Sequence, residues 1–290
     1  LHHFIHYKEP YMPNKALLVG INDYAPVGSG GPDLAGCVND VRDMASTLVS
    51  LGVVPFSPAN LRLLTDRSAT RANILSGLQW LITGAKSGES RIFYYSGHGS
   101  YTADVSGDEP DRRDETICPH DYASAGQIKD DDLRIVVSRL PSGVNLDVIF
   151  DSCHSGTATR VLDAPPPEGT IRFIEPSLEE SFFAEGLPGL PLLGGKRIEA
   201  HAKTPVSAAM NHVLWAGCRD NQTSMETNLG GVRRGVFTYF FCRRLRAAGA
   251  PGIRRSVLDR LVTNDIRAGG YVQVPQMEGT PASFAELMFK

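Results

Sequence analysis

The 290-residue chain lacks the features by which several large functional classes are recognised. Lys and Arg (29) do not outnumber Asp and Glu (32), and the net charge of −3 leaves no basic footprint for nucleic acid. No apolar run approaches the length of a membrane span, and no charged-then-apolar leader precedes a small-residue cleavage site. Neither a nucleic acid nor a membrane is therefore expected as a partner. The five cysteines (Cys37, Cys118, Cys153, Cys218 and Cys242) are few, odd in number and widely spaced. That is unlike a disulfide scaffold and points to a reducing, cytoplasmic compartment. There is no C-x-x-C pair of the kind that holds structural zinc and no H-E-x-x-H helix. Internal repeats and low-complexity tracts are also absent. A hydrophobic fraction of 42% is nevertheless enough for a large core in one domain or two small ones.

What is present is organised as strands alternating with helices. Lys15 to Gly20 reads as a buried strand. Leu34, Val38, Val41, Met44, Ala45 and Leu48 recur at helical spacing in a helix ending near Gly52. Asn60 to Leu64 is a short strand, and Thr70 to Ile82 a helix with Thr70 as its N-cap. Leu133 to Leu140 suggests a further helix after a polar, acidic loop. Residues 163–205, with Pro165, Pro166 and Pro167 in a row and no sustained periodicity, read as a linker excursion. His212 to Gly217 is a strand, Gly235 to Leu245 and Arg255 to Ile266 are helical, and an extended piece lies near Val272-Gln273-Val274. About four strands come from the first half and one or two from the last part. The alternation argues for right-handed crossovers and a mainly parallel α/β sheet. Residues 1–14, without an initiating Met, are read as an extension or trimmed end outside the fold, and 15–290 as one domain.

Two short apolar runs stop abruptly in small residues around a reactive side chain. Arg91-Ile92-Phe93-Tyr94-Tyr95 runs into Ser96-Gly97-His98-Gly99-Ser100. Leu146-Asp147-Val148-Ile149-Phe150 runs into Asp151-Ser152-Cys153-His154-Ser155-Gly156. A buried parallel strand ends in this way at its carboxyl edge, where open α/β sheets gather their chemistry. A thiol attacks a carbonyl as thiolate, and an imidazole nearby takes its proton and returns it to the leaving amine. His98 and Cys153 thus read as base and nucleophile of a cysteine hydrolase. The backbone N–H groups of Gly99 and Cys153 are candidates for the oxyanion hole. His154 adjoins the thiol, but adjacent side chains on an extended segment diverge, which favours His98. Ser96 and Asp151 lie two residues before His98 and Cys153, on the same strand faces. A carboxylate beside the thiol would raise its pKa, so Asp151 makes sense as a binder of a cationic substrate group; Asp40 could supply a second carboxylate, although taken alone it reads as an ordinary exposed charge on a helix. Cys118 and Cys242 read as core residues. A Gly-rich stretch, Gly28-Ser29-Gly30-Gly31, is a weak nucleotide motif, since no Walker Lys follows and Pro32 removes an N–H. No organic cofactor is expected.

The two motifs, in this order and with His98 and Cys153 about 55 positions apart, resemble those of the caspase-related cysteine peptidases, specifically the metacaspases. Gly36-Cys37-Val38-Asn39-Asp40-Val41, Cys218-Arg219-Asp220-Asn221-Gln222-Thr223-Ser224 and Pro275-Gln276-Met277-Glu278-Gly279 extend the resemblance from Lys15 to Gly279. It implies a caspase-like three-layer α/β/α sandwich around a mainly parallel six-stranded sheet. It divides the domain into a large-subunit-like part (15–162), the linker (163–205) and a small-subunit-like part (206–290). It also implies a monomeric endopeptidase acting on peptides or proteins after Arg or Lys, with a pocket built from Cys37, Asp40, Ser96 and Asp151. It further implies calcium held by Asp114, Asp130 and Asp131, the family's later aspartate being replaced by Arg160, with Asp163 nearby. Self-cleavage after Arg172, Lys196, Arg197 or Lys203 is expected on the same ground. The alternatives are a catalytically silent caspase-like scaffold or recruitment module and, among enzymes, a thiol-dependent esterase or transferase.

Overall fold

The computed structural model describes residues 14–25, 32–103, 113–153, 169–176, 212–219, 222–249 and 252–290. In chain order its elements are β1 (Lys15–Gly20), α1 (Cys37–Ser50), β2 (Leu61–Thr65), α2 (Arg71–Ile82), β3 (Ser90–Ser96), β4 (Gly99–Ala103), β5 (Arg113–Ile117), α3 (Tyr122–Ala125), β6 (Ile128–Lys129), α4 (Asp130–Val137), β7 (Asn145–Asp151) and β8 (Thr170–Ile171). They continue with β9 (His212–Ala216), β10 (Met225–Leu229), β11 (Val232–Gly235), α5 (Val236–Ala248), α6 (Arg255–Ala268), β12 (Gln276–Glu278) and α7 (Pro281–Ala285). Among the described residues no helix is long and apolar enough to cross a membrane.

Six strands form the central sheet in the order β12-β9-β7-β3-β1-β2, parallel throughout except for β12. Because successive strand side chains point to opposite faces, each apolar strand feeds two cores. Ala16, Leu18, Ile92, Tyr94, Ile149 and Trp215 pack under α1, α5 and α6. Leu17, Val19, Phe93, Tyr95, Val148 and Phe150 pack under α2, with Leu133, Val136 and Val137 of α4 against them. The result is the expected three-layer α/β/α sandwich around a mainly parallel six-stranded sheet, with β9 and β12 joining strands from the first half of the chain.

Several elements differ from the sequence expectation. The strand near the C-terminus is Gln276–Glu278, not Val272–Val274. In the earlier stretch the backbone bonds a side chain instead of a strand: Val274 N–H donates to Gln222 Oε1 and Val272 O accepts from Gln222 Nε2, while the buried side-chain amide of Gln273 donates to Gly217 O. α4 begins at Asp130, ahead of its apolar residues, where three acidic side chains favour the helix N-terminus. Two antiparallel sheets, β4-β5-β6 and β11-β10-β8, flank the main one, and β8 comes from the segment read as a structureless linker. Short strands in polar sequence leave no apolar run to detect. Thr70 does cap α2, its side chain accepting from Asn73 N–H. All five cysteines are free, and Cys118 and Cys242 are core residues.

One buried ion pair ties the last part of the chain to the strand that ends in Asp151. Arg255 on α6 donates from Nε and Nη2 to the two carboxylate oxygens of Asp147 on β7 (2.9 and 3.2 Å), and from Nη1 to Glu286 and to Ser283 O. Removing one partner leaves the other charge buried and unpaired. Arg255→Met is therefore expected to lower the unfolding free energy by about 3–5 kcal/mol in chemical denaturation, and Arg255→Met with Asp147→Leu to recover most of it. A single-variant loss below about 1 kcal/mol, the range of an exposed pair, would contradict this.

Candidate active site

β3 and β7 are neighbours in register, Ser96 opposite Asp151, so the residues that follow them leave the sheet side by side. Gly97 makes the first turn possible. A Cβ there would sit 2.5 Å from Tyr95 Oη and 2.7 Å from Tyr24 Oη, and those two hydroxyls hold the next residue. His98 N–H donates to Tyr24 Oη (2.7 Å), and Tyr95 Oη donates to His98 O (2.7 Å). The His98 ring lies 5.0 Å from that of Tyr24, and its Nε2 is 2.6 Å from Pro32 O. A carbonyl only accepts, so Nε2 carries the ring proton and Nδ1 keeps a free lone pair. Nδ1 is buried without a hydrogen-bond partner. Burial, partly opposed by the Pro32 carbonyl, pulls the imidazole pKa down to about 4, so the ring is neutral at neutral pH.

Cys153 is fully buried. Ser224 N–H donates to its Sγ at 2.6 Å, and Sγ is 3.2 Å from Ser224 O. The N–H groups of Cys153 and Gly99 both donate, each at 3.1 Å, to one carbonyl oxygen, that of Arg172. Two convergent backbone donors on one carbonyl are the arrangement that stabilises an oxyanion.

The side chain of Arg172 explains the rest. It is fully buried, and its guanidinium lies among three carboxylates from three elements: Asp40 of α1 (2.6 Å), Asp151 of β7 (3.0 Å) and Glu226 of β10 (3.4 Å). Ser96 Oγ accepts from Nη1 and donates to Asp40. Each carboxylate is held in turn. Asp151 accepts from Ser224 Oγ and from both N–H and Oγ1 of Thr238; Asp40 accepts from Gly235 N–H; Glu226 accepts from Ala35 N–H, Gly36 N–H and Arg233. Gly235 walls the cradle: a Cβ there would fall 2.1 Å from Asp151 Oδ2 and 2.5 Å from Arg172 Nη1. Burial alone would depress the Arg172 pKa, but Asp151 foremost, then Cys37, Asp40 and Glu226, drive it well above the ordinary arginine value. Burial pushes the Asp40 carboxyl up to about 6, with Arg172 opposing the shift and Asp151 adding to it.

The backbone of Arg172 is equally engaged. Its N–H donates to Ser224 O (3.1 Å), and β8 just before it pairs antiparallel with β10, Ile171 opposite Met225 and Thr170 opposite Glu226. The structure thus brings His98, Gly99, Cys153, Asp40, Ser96 and Asp151 around a single arginine. Cys37 lines the same cradle, but its thiol, raised by burial, faces Glu226 at 4.0 Å instead of bonding the guanidinium. Sequence reasoning missed Glu226, Thr238 and Gly235. The only signal was weak: Glu226 lies two residues after Ser224, so in an extended segment the two side chains point the same way.

Two of the three expected calcium ligands are engaged in ion pairs. Asp114 accepts from Lys129 Nζ at 2.5 Å, and Asp131 pairs with Arg134. Asp130 keeps a buried oxygen without a partner, and burial, then the charge of Asp131, lifts its pKa to about 6. Among the described residues no group of three or more His, Cys, Asp or Glu side chains is arranged to hold a metal ion. His154, Gly28 to Gly31, Arg160, Asp163, Lys196, Arg197 and Lys203 lie outside the described residues.

Residues 14–165 match the family model described as metacaspase, peptidase C14 domain. The chain belongs to the metacaspase family. Metacaspase-1 of Cryptococcus neoformans is 35% identical over 323 aligned positions, covering 99% of this chain and 66% of that protein, so the chain spans about two thirds of its length. Metacaspase-1 of Ajellomyces capsulatus is 33% identical, covering 95% of this chain and 82% of that one. Among solved structures, a protein from Geobacter sulfurreducens superimposes with a TM-score of 0.68 at 24% identity, covering 96% and 98% of the two chains. Caspase-1 from Spodoptera frugiperda does so at 0.54 and 14%, covering 92% and 86%. Both show the shared caspase-like fold.

The metacaspase cradle should hold arginine in a pH-dependent way. Asp40 takes up a proton near pH 6 with a guanidinium present, and at a higher pH without one, since Arg172 is what lowers it. Affinity for an arginine amide should therefore fall as the pH drops towards about 6 and level off below it. Calorimetry on a chain carrying both Arg172→Ala and Cys153→Ala measures this, and Asp40→Asn should flatten the profile. Affinity that rises on acidification would be the wrong sign.

Proposed function

We propose that this metacaspase is a cysteine endopeptidase cutting after Arg or Lys, and that the bond joining Arg172 to Phe173 is its own first substrate. The observation that carries the reading is the posture of Arg172: guanidinium among three carboxylates, carbonyl oxygen under two N–H donors. A guanidinium offers a planar fork to several carboxylates, whereas a lysine ammonium is a point charge that the same acidic cradle accepts with fewer bonds.

The chemistry follows from the groups present. Cys153 Sγ attacks the Arg172 carbonyl carbon as its proton passes to His98 Nδ1, the imidazole nitrogen with a free lone pair. The carbonyl oxygen becomes an oxyanion held by the Gly99 and Cys153 N–H groups. His98 then gives the proton to the departing Phe173 nitrogen, the C–N bond breaks and a thioester remains. Water, deprotonated by His98, releases the new carboxylate and restores the thiol. Pro32 O fixes the tautomer this sequence needs. A recruitment scaffold would have no use for both a buried imidazole nitrogen left without a hydrogen-bond partner and a doubly held carbonyl, so the endopeptidase reading is preferred.

Intact-mass spectra of the purified chain over time test this. Fragments ending at Arg172 and beginning at Phe173 should accumulate, be absent with Cys153→Ala or His98→Ala, and lose this junction with Arg172→Ala. The same cut in the Cys153→Ala chain would exclude the thiol as its agent.

Calcium enters the proposal as an activator competing with Lys129 and Arg134 for Asp114, Asp130 and Asp131, with the unpartnered Asp130 oxygen as the entry point. Turnover of an arginyl peptide should fall in chelator and return when calcium is restored. An undiminished rate in chelator removes calcium from the account.

A further inference from the structure

Beyond Arg172 the chain continues along a different strand. Phe173 forms a parallel bridge with Gly99, Ile174 N–H donates to Gly99 O at 3.0 Å, and Ser100 Oγ donates to Ile174 O at 2.8 Å. The segment therefore changes partner at the bond to be cut, pairing with β10 before it and with β4 after it. On the β4 side the Phe173 ring stacks on Tyr101, centroids 6.3 Å apart and planes at 24°. Tyr101 is itself buried, 5% exposed, and the guanidinium of Arg113, from the paired strand β5, lies over its ring at 4.3 Å. A cation held against the ring adds to the packing that fixes its orientation. Phe173 is half-buried.

We infer that β4 forms a leaving-side subsite, with Tyr101 as an aromatic platform that selects Phe, Tyr or Trp as the residue following the cut. The inference rests on the endopeptidase reading above and adds to the basic residue before the cut a second determinant after it. The backbone bonds to Gly99 and Ser100 are available to any residue, so they position the leaving segment without selecting it. Selection comes from the Tyr101 ring, because an offset-stacked pair gains more than the burial of equal apolar area.

Internally quenched peptides Thr-Ile-Arg-Xaa-Ile with Xaa as Phe, Tyr, Leu or Ala test this on the self-processed full chain. Phe and Tyr should exceed Ala in kcat/KM by about three- to tenfold, and Phe should exceed Leu. Tyr101→Phe, which keeps the ring, should preserve the ratio, and Tyr101→Leu should bring it near one. Equal rates for Phe and Ala, or for Phe and Leu, would overturn the aromatic platform, as would a ratio that survives Tyr101→Leu. Should Tyr101→Leu not fold, capture of the acyl-enzyme formed from a Thr-Ile-Arg ester decides in the unaltered chain. Phe-Ile-amide should then outcompete Ala-Ile-amide as acceptor, and equal capture counts against the subsite. Cleavage after Arg without preference for Xaa refutes the subsite alone, whereas failure to cut any of the four peptides after Arg refutes the endopeptidase reading.

Discussion

The site depends on one electrostatic constraint: three carboxylates from separate elements converge in a dry pocket that only a cation makes tolerable. Desolvating such charges costs several kcal/mol each unless they are paired and fully hydrogen-bonded. Asp40, Asp151 and Glu226 are each anchored by backbone N–H or hydroxyl donors, and those bonds hold the negative oxygens in place. The guanidinium of Arg172 supplies the compensating charge. The side chains that line this sheet edge therefore suit a basic residue, the ground of the proposed preference for Arg or Lys.

Strand periodicity places this pocket and the reacting groups in one corner. Ser96 and Asp151 continue the faces of Tyr94 and Ile149, which pack under α1 and α5, so their polar ends meet Asp40 and Thr238 at the rim of that layer. The chain then turns, and the N–H groups of Gly99 and Cys153, which follow β3 and β7, meet on the carbonyl oxygen of Arg172. Tyr24, Tyr95 and Pro32 are the supports: two hydroxyls fix the His98 backbone and one carbonyl fixes its ring. A glycine at 97 is needed because both hydroxyls crowd that position.

Much of this was legible in the sequence because it followed local rules. Apolar runs stopped by Gly and Ser gave β3 and β7 with His98 and Cys153 beyond them, and period two paired Ser96 and Asp151 with those residues. Asp40, an ordinary helical charge when taken alone, acquired meaning only from the family resemblance. Glu226 and Thr238 were not legible, since they reach the pocket through β10 and α5, elements brought there by long-range packing. Nor was the docking of Arg172. It was one of four basic residues in a segment without periodicity, and a two-residue strand leaves no pattern. The C-terminal strand was misplaced by a few residues because Gln273 and Val274 are extended but bond to side chains and loop carbonyls in place of a ladder.

The central claim, that a buried positive charge among Asp40, Asp151 and Glu226 governs which bond is cut, is tested most directly by a peptide pair differing only in that charge. Turnover of a Thr-Ile-Arg-Phe-Ile peptide should exceed that of its citrulline counterpart, equal in shape but neutral, by more than about 100-fold in kcat/KM. Equal turnover of the two would contradict the account, because shape alone would then suffice.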